Sequence, residues 1–164
     1  MPAPESPKPR FKHCDYLRNF IVPNRLQERI KLAHRALKYH DFEAIAFRGM
    51  SGALVSIPLA LEMNKTLIMV RKPNTDTHSS YPVEGDTKAK RYVIVDDFVA
   101  SRATAKAVKE SVSKFAPDSE CIGVLEVSHI ETHFFEKYKY GRKNLYPLWN
   151  SWKPYNKPYI EEGE

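Results

Sequence analysis

The sequence predicts an α/β fold, a parallel doubly wound sheet flanked by helices. Three observations carry that expectation. Four short apolar runs recur along the chain, Ala44–Phe47, Thr66–Val70, Tyr92–Val95 and Cys121–Val127. Strands buried on both faces read as such continuous runs, whereas half-exposed strands alternate. The segments between the runs carry helical spacing or are long enough to be crossovers. Finally, the conspicuous polar residues fall directly after each run: Arg48-Gly49, Arg71-Lys72, Asp96-Asp97 and Ser128-His129. In open parallel sheets that is the edge where ligands bind.

Residues 1–20 read as a disordered or loosely packed arm, because the start is rich in proline and lacks apolar periodicity. The α/β domain is expected over 21–133. Asn24 is placed to cap a helix from about Arg25 to Tyr39, in which Leu26, Ile30, Ala33 and Leu37 share one face. Arg48–Gly52 reads as a turn. An apolar helix follows from about Ala53 to Met63, and Pro58 within it predicts a kink or a late start. Asn74–Lys90 is a long polar stretch. A helix running to Phe115 follows the third run, and Pro117-Asp118 turns the chain into the fourth.

The 164 residues suit one domain with a sizeable core. No apolar run approaches the roughly 18 residues of a membrane span. The first residues lack the apolar stretch of a signal peptide. Two cysteines, Cys14 and Cys121, are too few for a disulfide framework. A cytoplasmic protein without membrane contact is the expectation. The net charge of +6 suits nucleic acid or polyphosphate ligands, and equally a solvated basic surface. Residues 134–164 form an aromatic tail with interleaved lysines and prolines. It reads as a wrap packed on the domain, a hood over bases, or a partner surface; packing is the default for so much aromatic area.

The chemistry concentrates at Arg91–Ala107. An apolar strand ends in Asp96 and Asp97, then a short hydroxyl-bearing turn leads into a helix. Adjacent carboxylates repel and need partners, such as sugar hydroxyls or a hydrated cation. A helix start offers unpaired N–H groups to a phosphate. Together they suit a ribose 5-phosphate.

VIVDDFVASRAT resembles the 5-phosphoribosyl 1-pyrophosphate (PRPP) motif of type I phosphoribosyltransferases. Asp96 and Asp97 match its acids, Phe98 and Val99 its apolar pair, and Ser101 and Thr104 its hydroxyls. Arg102 and Ala103 stand where the family usually has glycines, so the 5′-phosphate loop is degenerate. AIAFRGMSGALVSIPLALEM resembles the pyrophosphate loop and its helix, TLIMVRKP the next strand with its basic end, and Asn74–Gly85 the flexible hood loop.

The resemblance implies a glycosyltransferase (pentosyltransferase) of nucleotide metabolism. It would move ribose 5-phosphate from PRPP to a nucleobase or related acceptor and release pyrophosphate. Its catalytic residues would be Asp96, Asp97, Glu84 and His78. Ala100, Ser101, Arg102, Ala103 and Thr104 would bind the 5′-phosphate. Arg48, Gly49, Met50, Ser51, Gly52, Arg71 and Lys72 would bind pyrophosphate, and Ser128 and His129 the base. Mg²⁺ is the implied cofactor, held through water by Asp96 and Asp97. PRPP or a nucleotide, a small-molecule base and a second copy of the chain are the implied partners, with nucleic acid left open. Family members acting on 6-oxopurines carry an acid where this chain has Ala100, so the pattern is closer to adenine or orotate enzymes. A catalytically silent relative that binds PRPP or nucleotides as a regulator is the alternative, because Arg102 either joins the phosphate or fills its place.

Overall fold

The apolar runs form the expected parallel sheet, with one strand added. A computed structural model of the chain describes residues 17–73, 80–97 and 102–127. In chain order the elements are α1 (Arg18–Ile21), α2 (Pro23–Leu37), β1 (Ala44–Arg48), α3 (Gly49–Met63), β2 (Thr66–Val70), β3 (Val83–Gly85), β4 (Arg91–Asp96), α4 (Arg102–Phe115) and β5 (Glu120–Glu126). The strand order is β3-β2-β1-β4-β5. β1 lies between β2 and β4 and runs parallel to both; β5 is parallel to β4. Among the described strands only β3 is antiparallel.

The period-two alternation of the strands sends side chains to two apolar cores. Ile45, Val93, Val95 and Leu125 pack with Phe20, Ala33, Leu37, Val55 and Leu59 of the first three helices. Ala46, Ile68, Tyr92, Ile94 and Val124 pack with Ala105, Val108 and Val112 of α4. Both faces of the sheet are thus covered, which is why its strands read as unbroken apolar runs. Tyr92 is completely buried opposite Cys121, and burial pushes that thiol up to about 11. Among the described residues no helix is long and apolar enough to cross a membrane.

Several boundaries differ from expectation for identifiable reasons. Part of the segment expected to be a disordered or loosely packed arm lies in the core: Leu17 is partly buried and Phe20 is 3% exposed. Val22, not Asn24, is the N-cap of α2, and Pro23 opens the helix. Proline lacks an N–H and suits a position where that group would be unpaired anyway. Arg48–Gly52 is not a free turn; α3 starts at Gly49 and runs through Pro58. It stops at Asn64, which takes the left-handed conformation at φ 53°, while the Lys65 N–H closes the end on Ala60 O at 2.9 Å.

β3 lies inside the polar stretch read as hood loop, and three residues are too few to show a period. Its register is fixed by close approach. Gly85 sits at φ +118°, and a Cβ there would lie 2.0 Å from Leu67 O. Asp86 N–H donates to Leu67 O at 2.9 Å, and Asp86 Oδ1 accepts from the Lys88 and Ala89 N–H groups. The Thr66 hydroxyl bonded to Asp86 holds that carboxyl below its usual range.

Replacing Gly85 by alanine therefore forces β3 off β2. Gly85→Ala is expected to cost about 1–3 kcal/mol in denaturant unfolding, the scale of a strained backbone position. An unchanged unfolding midpoint would show that β3 does not hold this register.

Candidate functional site

Sheet order places the site. From β1 the chain crosses by α3 to β2 on one side, while β4 lies on the other side of β1. The carboxyl ends of β1 and β4 therefore flank the crevice where connections diverge, the usual binding place in such sheets. Those ends carry Arg48 and Asp96.

Asp96 is the last residue of β4 and pairs in register with Glu126, the last residue of β5. The Asp97 N–H donates to Asp96 Oδ1 at 2.9 Å. Asp97 is 1% exposed and Glu126 4% exposed. Three carboxyl groups thus gather at two adjacent strand ends. Burial pushes the Asp96 carboxyl up to about 8, helped by the neighbouring Asp97 carboxyl and the charge of Glu126, while the Asp97 N–H pulls the other way. Asp97 Oδ2 is buried with no hydrogen bond among the described residues. A buried oxygen of this kind is an acceptor held ready for a donor.

The first turn of α3 lies against this acid group. A Cβ on Gly52 would lie 3.7 Å from Asp96 Oδ1 and 3.4 Å from Phe47 Cβ. One turn later, the buried Ser56 hydroxyl donates to Val95 O at 3.4 Å and ties the helix to β4.

Arg48 and Lys72 reach the same turn from the β1–β2 side. Arg48 is the N-cap of α3, and Gly49 opens it at φ +73°. A Cβ on Gly49 would lie 3.0 Å from Lys72 Cε and 3.4 Å from Lys72 Nζ, so the lysine stem lies on the helix start. Arg71 Nη2 donates to Glu84 Oε2 at 2.9 Å. Arg48 Nε and Arg71 Nε are buried and make no hydrogen bond among the described residues. No acid stands in the first turn of α3. The helix start, Lys72 and the capping Arg48 suit a multiply charged anion, and Arg71 stands one residue before Lys72 in the chain.

The structure thus brings Arg48, Gly49, Gly52 and Lys72 to one helix turn, and Asp96 to its inner side. Met50 is largely exposed and Ser51 partly so. Glu84 is a strand residue bonded to Arg71 rather than part of a free loop. Ala103 and Thr104 lie exposed in the first turn of α4, which Arg102 opens. His78, Ala100, Ser101, Ser128 and His129 lie outside the described residues, as do the tail and most of the arm. Sequence reading missed Glu126; its signal was one acid interrupting the apolar run Gly123-Val124-Leu125 and Val127.

The raised Asp96 carboxyl has a measurable consequence. In the unfolded chain this group ionises near 3.8, and in the folded chain near 8. Between those values the folded state binds more protons, so stability contributed by this group is full below about pH 3.8 and is lost as pH rises through about 8. Asp96→Asn removes that loss. Without divalent cations, its melting temperature is expected to rise relative to the unsubstituted protein from acid to pH 8, then run parallel. A constant difference across that range would show that Asp96 ionises normally.

No model of a known protein family matches the chain. The adenine phosphoribosyltransferase of Petrotoga mobilis is 30% identical over an alignment of length 93 that covers 48% of this chain and 54% of that protein. The match therefore spans about half the length of that relative. The adenine phosphoribosyltransferase of Kosmotoga olearia is 26% identical over an alignment of length 148 that covers 78% of this chain and 85% of that protein. Among solved structures, the Mycobacterium tuberculosis orotate phosphoribosyltransferase in complex with PRPP superposes with a TM-score of 0.54 at 16% identity, covering 70% of this chain and 65% of that one. The chain carries the type I phosphoribosyltransferase fold and is a distant sequence relative of the adenine phosphoribosyltransferases.

Proposed function

We propose that this protein is a PRPP-dependent phosphoribosyltransferase acting on a nucleobase. The observation that carries the reading is the first turn of α3 standing between the Asp96 carboxyl and the Lys72 ammonium stem. Acids suited to ribose hydroxyls and cations suited to pyrophosphate then meet across one helix start. In the reaction, a nitrogen of the base forms a bond to C1 of PRPP. The bond from C1 to the pyrophosphate oxygen breaks, its electron pair leaves with pyrophosphate, and the nitrogen loses a proton. Arg48, Arg71, Lys72 and the amides of Gly49–Gly52 bind the leaving group and stabilise its charge. Asp96 and Asp97 orient the ribose. His78, or Glu84 when it leaves Arg71, would take the proton.

Mg²⁺ fits this acid pair, since carboxylate oxygens are its preferred donors and Asp97 Oδ2 is a buried acceptor. Asp96 and Asp97 would hold it through water, and bound there it would neutralise pyrophosphate charge. Two relatives named as adenine phosphoribosyltransferases, together with Ala100 at the proton-carrier position of the 6-oxopurine enzymes, support adenine or orotate as the class of acceptor. A cytoplasmic location accords with this role.

The double substitution Asp96→Asn, Asp97→Asn is expected to abolish PRPP binding in calorimetry with Mg²⁺ and to keep the chain folded, because asparagine preserves both shapes. Unchanged affinity would remove the acid pair from the site.

One observation favours the regulatory reading: Arg102 and Ala103 occupy the first turn of α4 in place of glycines. Glycine permits the closest approach of backbone to phosphate. If Arg102 takes over that contact with its guanidinium, Arg102→Ala weakens PRPP binding by about ten- to a hundredfold, on the scale of a charge-assisted hydrogen bond. We expect this result. If Arg102→Gly instead creates PRPP binding absent from the unsubstituted protein, the chain is a silent relative.

A further inference from the structure

We infer that Glu84 is a charge brake on the anion site, a carboxylate that competes with pyrophosphate for Arg71 and speeds release of that product. The inference rests on the transferase reading above. It starts from the Arg71–Glu84 ion pair at 2.9 Å, in which both side chains are only partly exposed.

The pair is set by the backbone. Arg71 N–H donates to Pro82 O at 2.8 Å, which holds the residue just after β2 against the start of β3. Glu84 sits opposite Met69 in the antiparallel ladder. Gly85 is pressed so closely on Leu67 O that this register has no neighbour to slide into. Asp86 N–H on the same carbonyl fastens the strand's end. Glu84 is therefore carried to Arg71 by a fixed strand.

The position of Arg71 gives the contact its consequence. The next residue, Lys72, lies on Gly49 at the start of α3. A guanidinium has five N–H donors, and here Nη2 serves Glu84 while Nε is buried with no hydrogen bond among the described residues. An anion arriving at the remaining donors meets a second negative group on the same cation. Repulsion between the two lowers the affinity of the anion. In the transferase reading, Arg71 joins Arg48, Lys72 and the helix start, a combination that would otherwise hold a multiply charged product strongly, and product release limits turnover in many enzymes. In this contact Glu84 acts through Arg71, as a positioning residue for the anion.

A purely structural role has the opposite sign. If Glu84 only steadied Arg71, its loss would loosen the guanidinium and weaken anion binding. The test is calorimetric titration of the full chain with inorganic pyrophosphate, in the presence of Mg²⁺, for the unsubstituted protein, Glu84→Gln and Arg71→Ala. Glu84→Gln should bind pyrophosphate about two- to fivefold more tightly, the scale of one partly exposed charge pair. Arg71→Ala should bind it more weakly. In turnover, Glu84→Gln should lower kcat and the KM for PRPP together. A gain of affinity is not something damage to the fold produces. If Glu84→Gln binds with equal or lower affinity while Arg71→Ala has lost binding, the brake is overturned and the anion site stands. If Arg71→Ala binds as well as the unsubstituted protein, the brake is overturned because its target is not in the site. If none of the three proteins binds pyrophosphate, the transferase reading falls and the brake with it.

Discussion

The parallel pairing of β1 with both β2 and β4 is the constraint on which the site depends. Because the three strands run the same way, Arg48, Arg71 and Asp96 emerge on one edge of the sheet. The first turn of α3 packs beside the end of β4. Gly52 permits the approach to Asp96, and the Ser56 hydroxyl on Val95 O fixes it. Neither residue needs to touch a ligand to matter. They set the separation between a strand end carrying acids and a helix end carrying positive potential.

Charge is sorted across that turn. Asp96, Asp97 and Glu126 lie on the β4–β5 side, and Arg48, Arg71 and Lys72 on the β1–β2 side. The sorting opposes stability on the acid side, where burial and like charge disfavour ionised Asp96. Proteins keep such arrangements at functional positions, where the rest of the fold offsets them. Here the offset lies in two apolar cores that sandwich the sheet.

The fold was largely legible because strands covered on both faces write themselves as apolar runs with charges at their ends. Each of the four runs became a parallel strand within a residue or two of its expected limits. The antiparallel Val83–Gly85 was not legible, since its register comes from a steric contact at Gly85 and not from hydrophobic spacing. The start of α3 was misread because glycine at positive φ looks like a turn in sequence and here opens a helix. In the site, Asp96-Asp97 and the basic pairs were visible as charges that interrupt apolar runs. Two things needed three dimensions. Glu126 gains meaning only through its register with Asp96. Glu84, read from sequence as a loop acid, is bound to Arg71 through a strand pairing that no spacing rule reveals.

The strand order also bears on when the site comes into being as the chain folds. β1 and β2 pair Ala44 with Thr66, a loop closed by one helix. β1 and β4 pair Ala44 with Tyr92, more than twice as far along the chain, and β5 then adds to β4. Longer loops cost more entropy to close, and such distant parallel pairings form slowly. The cationic half, built on β1, α3 and β2, can assemble from local contacts. The acids reach it only when β4 docks. A folding intermediate of this chain would therefore carry a basic helix start before Asp96, Asp97 or Glu126 came beside it, and polyanions present during folding would find that surface first.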